Sequence, residues 1–275
     1  MLKAVFIGSR WPFDEILVHW LAQRTDLVGV VWTETSPWQK TWRSRLAFAR
    51  RRSRRYGLLK VLDETLFYLH YHRFVRRRDG HDLDRHVIGP YYEQHGIPTW
   101  TGSSIFAASV NAPEVRDFLG QCRPDMAFAM CINEYFGKEL RSAVRLGIFL
   151  WHEGITPEYK GLYSPFWAVH NLDFARVGYT LLRMDDSYDG GAVFVQGPAV
   201  AIDPLRHGPG YLGHKAIMDS LPAVEGFLKE LEAGTATPID RSGARPQYYT
   251  YPGLSDLIRQ RRRLRQFART RMVQA

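Results

Sequence analysis

His152 stands directly after an apolar run, Gly147–Trp151 (GIFLW), that reads as a buried strand. In an open parallel sheet, the residue just past a strand's C-terminal end faces the crevice where ligands bind. The loop behind it, EGITPEYKG, is rich in Gly and Pro and can shape a pocket. A second polar run, Asp185-Asp186-Ser187-Tyr188-Asp189-Gly190-Gly191, falls between two further apolar segments. A carboxylate ahead of a double glycine can approach a pocket through a tight turn. Brought together from two strand ends, an imidazole and a carboxylate can move a proton, and the imidazole can donate to an oxyanion. Alone, His152 also reads as a loop histidine and Asp189 as a turn residue; the pair is what suggests chemistry.

Such a pair needs elements that bring it together. Residues 2–8 (LKAVFIG) form a short apolar run closed by Gly8, Ile16–Leu21 reads as helical, and Leu27–Trp32 is a valine-rich strand. Strand, helix, strand in about thirty residues is the βαβ signature of a parallel sheet. Only Gly8-Ser9-Arg10 follows the first strand, so the G-x-G-x-x-G dinucleotide fingerprint is absent. The rhythm resumes at Gly96–Thr99. A helix then starts near Asn111 with Pro113 in its first turn, followed by a strand at Asp125–Cys131 and a helix at Gly137–Val144. After GIFLW come a helix around Phe166–Asn171, strands at Val177–Leu182 and Ala192–Gln196, and a long helix within Gly210–Leu231. The fold expected is α/β, an open, mainly parallel, Rossmann-like sheet built by residues 1–35 and 96–200, with His152 and Asp189 close together at its C-terminal edge.

Composition bounds the rest. A chain of 275 residues, 45% apolar, can bury one sizeable core. No apolar run reaches membrane-spanning length, MLKAVFIGSR lacks a signal-peptide layout, and the two cysteines, Cys122 and Cys131, suggest neither disulfides nor zinc. His70-x-His72 has no evident third ligand, so no metal is expected, and a cytoplasmic location is the simplest. The net charge of +9 is uneven: residues 36–80 hold 13 Lys+Arg against 3 Asp+Glu, and residues 255–275 hold 7 against 1, which leaves an acidic body. Leu58, Leu59, Leu62, Leu66 and Leu69 recur at helical spacing among those basic runs. Residues 36–80 therefore read as an insertion of one or two basic amphipathic helices, and 253–272 as a basic terminal helix or a disordered tail. The domain reading is a catalytic domain at 1–233 and an extension at 234–275. Solvated helices, or contact with an anionic membrane surface and hence a peripheral place at the inner membrane, fit these segments. Nucleic acid ranks behind both, since no binding motif accompanies the aromatics Trp38, Trp42, Phe48 and Tyr56. Nothing in the sequence sets an oligomeric state.

The order and spacing of the central segments resemble the formyltransferases that use 10-formyltetrahydrofolate, the family of the sugar N-formyltransferases and of the catalytic domain of methionyl-tRNA formyltransferase. There a strand ends in Asn-x-His, and P-x-Y-R-G, an apolar P-x-x-W-A-I helix and D-x-x-x-D-x-G follow. Here LWH stands at 150–152, PEYKG at 157–161, SPFWAVHN at 164–171, GYTLLRM at 178–184 and DDSYDGG at 185–191. GIPTW and RPDMAFAM are similar too, so the resemblance covers about residues 1–233 outside the insertion.

The resemblance implies transfer of a formyl group from 10-formyltetrahydrofolate to a primary amine, with His152 and Asp189 catalytic. It places Met130, Ile132, Tyr135, Phe136 and Asp185 at the pterin, and Ser9, Arg10, Glu153, Tyr159 and Lys160 at the acceptor, Arg10 suiting a phosphate. Leu150 departs from the family's asparagine, whose amide helps hold the formyl oxygen. The enzyme is then slow or inactive, or uses another geometry, or another amide has moved in; Asn133 is the candidate. A nucleotide-linked amino sugar is the first acceptor expected, ahead of a glycine ribonucleotide or an amino acid. About forty residues follow the last core helix, where relatives that formylate initiator tRNA carry a barrel domain, so tRNA is not expected. The alternative function is a catalytically weak or inactive formyltransferase-fold protein serving as a membrane-surface or protein interaction module. Hydrolysis of formyltetrahydrofolate is a third reading, without support.

Overall fold

A computed structural model describes residues 1–33, 42–130, 132, 134–187 and 189–274. Lys3–Gly8 (β1), Pro12–Ala22 (α1) and Asp26–Thr33 (β2) open the chain as a βαβ unit, β1 and β2 pairing in parallel. Pro12 begins α1 where its missing N–H costs nothing, and Asp14 and Glu15 follow in the first turn. Four helices come next: Trp42–Tyr56 (α2), Leu58–His70 (α3), Arg76–Leu83 (α4) and Gly89–His95 (α5). Wide π turns at Tyr71–Val75 and Asp84–Ile88 join the last three. The helical insertion thus runs beyond the expected residue 80 to His95. The extra helix is held from outside: Ile88 and Tyr91 cluster with Ile16 of α1, and the Tyr91 hydroxyl lies 2.8 Å from His19 Nδ1.

The third strand is displaced from its expected place. Gly96–Thr99 is irregular, with Gly96 at φ 75° and Ile97 exposed, and the strand (β3) is Ser104–Ala107. The chain continues through Pro113–Cys122 (α6), Met126–Met130 (β4), Lys138–Ser142 (α7), Ile148–His152 (β5), Lys160–Gly161 (β6), Ser164–His170 (α8), Gly178–Met184 (β7) and Gly191–Pro198 (β8). Pro209–Ala233 (α9), Tyr248–Tyr249 (β9) and Leu254–Gln274 (α10) complete it.

Seven strands form one sheet in the order β3-β2-β1-β4-β5-β7-β8. The first five are parallel, and β7 and β8 are antiparallel. This is the mainly parallel open sheet expected from the sequence. Side chains alternate between two cores. Ala4, Phe6, Phe128, Phe149 and Trp151 pack with α1 and α9; Val5, Ile7, Ala127, Ile148 and Leu150 pack with α6 and α7. Strand order reverses between β1 and β4, and in such sheets the crevice beyond the strand ends at that point is where ligands bind.

The C-terminal extension packs against the body. Tyr248–Tyr249 pairs in parallel with Lys160–Gly161, the Trp167 indole donates to the Thr250 carbonyl, and Gln260 of α10 donates to the Phe166 carbonyl. Among the described residues no helix is long and apolar enough to cross a membrane.

Candidate active site

β5 delivers His152 as its last residue, 7% exposed. The loop that leaves it is pinned by Thr180, the ladder partner of His152 on β7. The Thr180 hydroxyl donates to the Gly154 carbonyl at 2.6 Å and accepts from Thr156 N–H at 3.1 Å and the Gln196 amide at 2.8 Å, so a buried hydroxyl has three partners. His152 Nε2 lies 3.0 Å from the Tyr159 carbonyl and 3.2 Å from Ser164 Oγ, which donates to the same carbonyl. A carbonyl only accepts, so this contact assigns the proton to Nε2 and leaves Nδ1 as the acceptor nitrogen of the neutral ring.

Asp189 arrives from the β7–β8 loop in the left-handed region, φ 42°, which a short polar residue tolerates. Its Oδ2 accepts the Gly161 N–H at 2.7 Å. Gly161 has φ 97°, and a Cβ there would overlap the Tyr249 carbonyl, so only glycine lets β6 and β9 approach so closely. His152 and Asp189 therefore hold the same three residues, Tyr159–Gly161, from its two ends. No hydrogen bond joins the imidazole to the carboxylate; the coupling runs through that backbone. Tyr159 is fixed by its hydroxyl on Asp173 (3.0 Å) and by stacking on Tyr249, and Lys160 Nζ lies close to Gly190.

The segment expected at a pterin divides. Met130 and Phe136 are buried in the cores, and Ile132, half-buried, packs against the apolar cluster that holds Phe136 and Leu150. Tyr135 is half-exposed, its hydroxyl donating to Asp186 (3.3 Å), which also pairs with Arg141. Asp185 Oδ1 accepts from Ser187 N–H and Oγ (2.7 and 2.6 Å) and closes a turn. Asn133 and Tyr188 lie outside the described residues. Leu150, 5% exposed, sits in that apolar cluster.

At the expected acceptor side, Ser9 is turned inward and donates to Asp14 at 2.6 Å, while Arg10 is exposed. Burial pushes the Asp14 carboxyl up to about 7, with Ser9 partly opposing. Burial also pushes Glu153 up to about 7; its carboxylate rests where a Cβ on Gly213 of α9 would stand. Tyr71 and Asp79 of the insertion reach the same place: they bond each other at 3.0 Å, and Asp79 accepts the Gly210 N–H of α9's first turn.

A carboxyl raised from 3.8 to about 7 by folding contributes stability that is full below about pH 4 and lost as pH rises through 7. Asp14→Asn keeps an acceptor for Ser9 and removes that loss. Thermal midpoints should then fall less steeply between pH 4 and 8 than in the parent, the remainder belonging to Glu153; equal slopes would show that Asp14 is not held protonated.

The sequence reading missed Ser164, Thr180 and Tyr248–Tyr249, and also Asn111 and Glu134. Asn111 bonds the Tyr135 carbonyl and Gly137 N–H (both 2.7 Å), and Glu134 accepts from Ser109 and Val110, so together they set the loop after β4. Thr180 left one signal, a lone polar residue inside an apolar strand.

A doubly wound sheet with a histidine at the end of a central strand defines an α/β protein with a polar cluster at the C-terminal edge of its sheet. No family model matches the chain. Methionyl-tRNA formyltransferase from Thermotoga maritima is 27% identical over 166 residues, 60% of this chain and 50% of that protein. The same enzyme from Thermotoga sp. strain RQ2 is 25% identical over 94% of this chain and 67% of its own length. The chain spans about half the length of most of the curated relatives it matches. A sugar N-formyltransferase from Shewanella sp. FDAARGOS_354 superposes with TM-score 0.53 at 12% identity, covering 91% of this chain and 77% of that one. Glycinamide ribonucleotide transformylase 1 from Symbiobacterium toebii gives 0.54 at 10% identity, covering 92% and 94%. The chain has the formyltransferase fold and is similar in sequence to methionyl-tRNA formyltransferases.

Proposed function

We propose that this protein transfers a formyl group from 10-formyltetrahydrofolate to a primary amine, a nucleotide-linked amino sugar being the favoured acceptor. Its proposed setting is the cytoplasm, with its basic helices giving it a peripheral place at an anionic membrane surface. The observation that carries the chemistry is the shared grip of His152 and Asp189 on Tyr159–Gly161, beside the crevice at the end of β5. The acceptor nitrogen attacks the formyl carbon and the carbonyl oxygen becomes an oxyanion. His152, its Nε2–H held by the Tyr159 carbonyl, is oriented to donate a proton from Nδ1 when charged or to receive the ammonium proton when neutral. The bond from formyl carbon to the folate nitrogen then breaks, that nitrogen takes a proton, and a formamide and tetrahydrofolate leave. Asp189 acts as a positioning residue by fixing Gly161 N–H. Ile132 and Leu150 supply the floor for the pterin.

The amino-sugar acceptor draws on the sugar N-formyltransferase from Shewanella sp. and remains the finer part of the proposal. The test is calorimetric titration of the full chain with 5-formyltetrahydrofolate, followed by incubation with 10-formyltetrahydrofolate and nucleotide-linked amino sugars, with mass spectrometry of the products. Binding and a formylated sugar are expected. Binding without product on any primary amine would favour the inactive-scaffold reading, and no heat at millimolar ligand would defeat the family function for this chain.

A further inference from the structure

A surface helix ordinarily turns its leucines inward and its charges outward. α3 does the reverse. Leu58, Leu59, Leu62, Leu66 and Leu69 are 42–82% exposed, and at 3.6 residues per turn they share an arc of about 100°. The charged side chains of α3 face the protein. Lys60 reaches Asp256 of α10 at 3.4 Å, Asp63 accepts from Ser255 N–H and Oγ, and Glu64 takes two bonds from Arg52 of α2, at 2.9 and 2.6 Å. Phe67 packs inward as an apolar anchor, against Tyr163 and Phe166. The leucine face is therefore held outward by ion pairs on the opposite side, and a contiguous outward apolar face of this kind marks an interaction site.

Its surroundings indicate the partner. Trp42 and Leu46 are exposed on α2 beside Arg50, Arg54 and Arg55. At the other end Phe74 is exposed under Arg73, and Arg261 of α10 touches His70. The acids of α3, Asp63 and Glu64, lie on the inner side. A second copy of this chain would bring its own arginines against these and be repelled. Nucleic acid would leave the leucines without a role.

We infer that α3 is an interfacial docking helix whose leucine face lies in the headgroup–acyl boundary of an anionic bilayer, with the arginines of α2 and α10 at the lipid phosphates. This rests on the peripheral place proposed above and not on the formyl chemistry. The geometry is that of a monotopic amphipathic helix, apolar face down and basic flanks level with the headgroups. The docked helix is continuous with Tyr71 and, one π turn on, with Asp79, which touches α9 beside Glu153. Membrane contact is thus made by an element that continues to the start of α9, near Glu153.

The full chain is sedimented with vesicles of phosphatidylcholine containing phosphatidylglycerol, and with phosphatidylcholine alone. The parent should sediment with the anionic vesicles only, and less so as salt is raised. Leu62→Glu with Leu66→Glu should weaken binding about tenfold or more, and Arg54→Gln with Arg55→Gln should weaken it and flatten its salt dependence. Both should keep the parent's thermal midpoint, because the altered side chains face solvent. Equal sedimentation of parent and leucine variant would overturn α3 as the docking element and leave a peripheral place standing. No sedimentation of the parent would overturn both. A parent dimer that the leucine variant converts to monomer, with no vesicle binding by either, would assign the face to a second copy instead.

Discussion

His152→Ala is expected to lower formyl transfer by about 10²–10⁴-fold, the span typical of a positioned acid–base group, while 5-formyltetrahydrofolate binds as before. The imidazole bonds through Nε2 to a backbone carbonyl and to Ser164, so its removal leaves the apolar floor of Ile132 and Leu150 in place. Ser164→Ala, which loosens the ring without removing it, should cost less and should move the pH profile of kcat, because the hydroxyl that helps fix Nε2 is gone. A purely structural role for Ser164 would change stability and leave that profile still. His152→Ala activity within tenfold of the parent, at unchanged fold, would remove His152 from the mechanism and leave Glu153 as the group to examine.

The sheet was legible in the sequence because strong local signals mark it. GIFLW, DMAFAMC and GYTLLRM are apolar runs closed by polar loops, and all three are central strands. The third strand was misplaced for a local reason. GIPTW has strand-like residues, but Gly96 is at positive φ and Ile97 is exposed, and pairing with β2 begins only at Ser104. The leucine stripe of α3 was visible as a period, yet its outward direction was not. That direction is decided by Arg52, Asp256 and Ser255, one on the preceding helix and two nearly two hundred residues away. Likewise Asp189 stands out by its glycines, whereas its contact with Gly161, on the strand paired by Tyr248–Tyr249, depends on a pairing that no periodicity announces. α5 follows the same logic, being held by Ile16 and His19 of α1.

The departure at Leu150 yields the second large effect. Asn133→Ala should lower turnover by about 10²–10³-fold, the cost of one lost oxyanion donor, with folate affinity little changed. Asn133 lies outside the described residues, so its place is argued from Leu150. That side chain is almost wholly buried in an apolar cluster, with Ala129 and Leu182 as its ladder partners, so an apolar contact stands where the resembled family has its amide. A site that keeps its chemistry then needs an amide from elsewhere, and residue 133 follows β4, whose Ala129 is the ladder partner of Leu150. Leu150→Asn completes the argument. In that cluster a new amide lacks partners, which costs about 1–3 kcal/mol, so the variant should lose thermal stability and gain no activity. If the centre has instead merely decayed, Leu150→Asn should raise turnover while Asn133→Ala leaves it unchanged. Initial rates on both variants, with thermal midpoints alongside, separate the two cases. A faster Leu150→Asn enzyme would sink the rebuilt-site reading, whereas a slow Asn133→Ala enzyme with parental stability and parental folate binding is the result expected of an oxyanion donor moved from β5 to the end of β4.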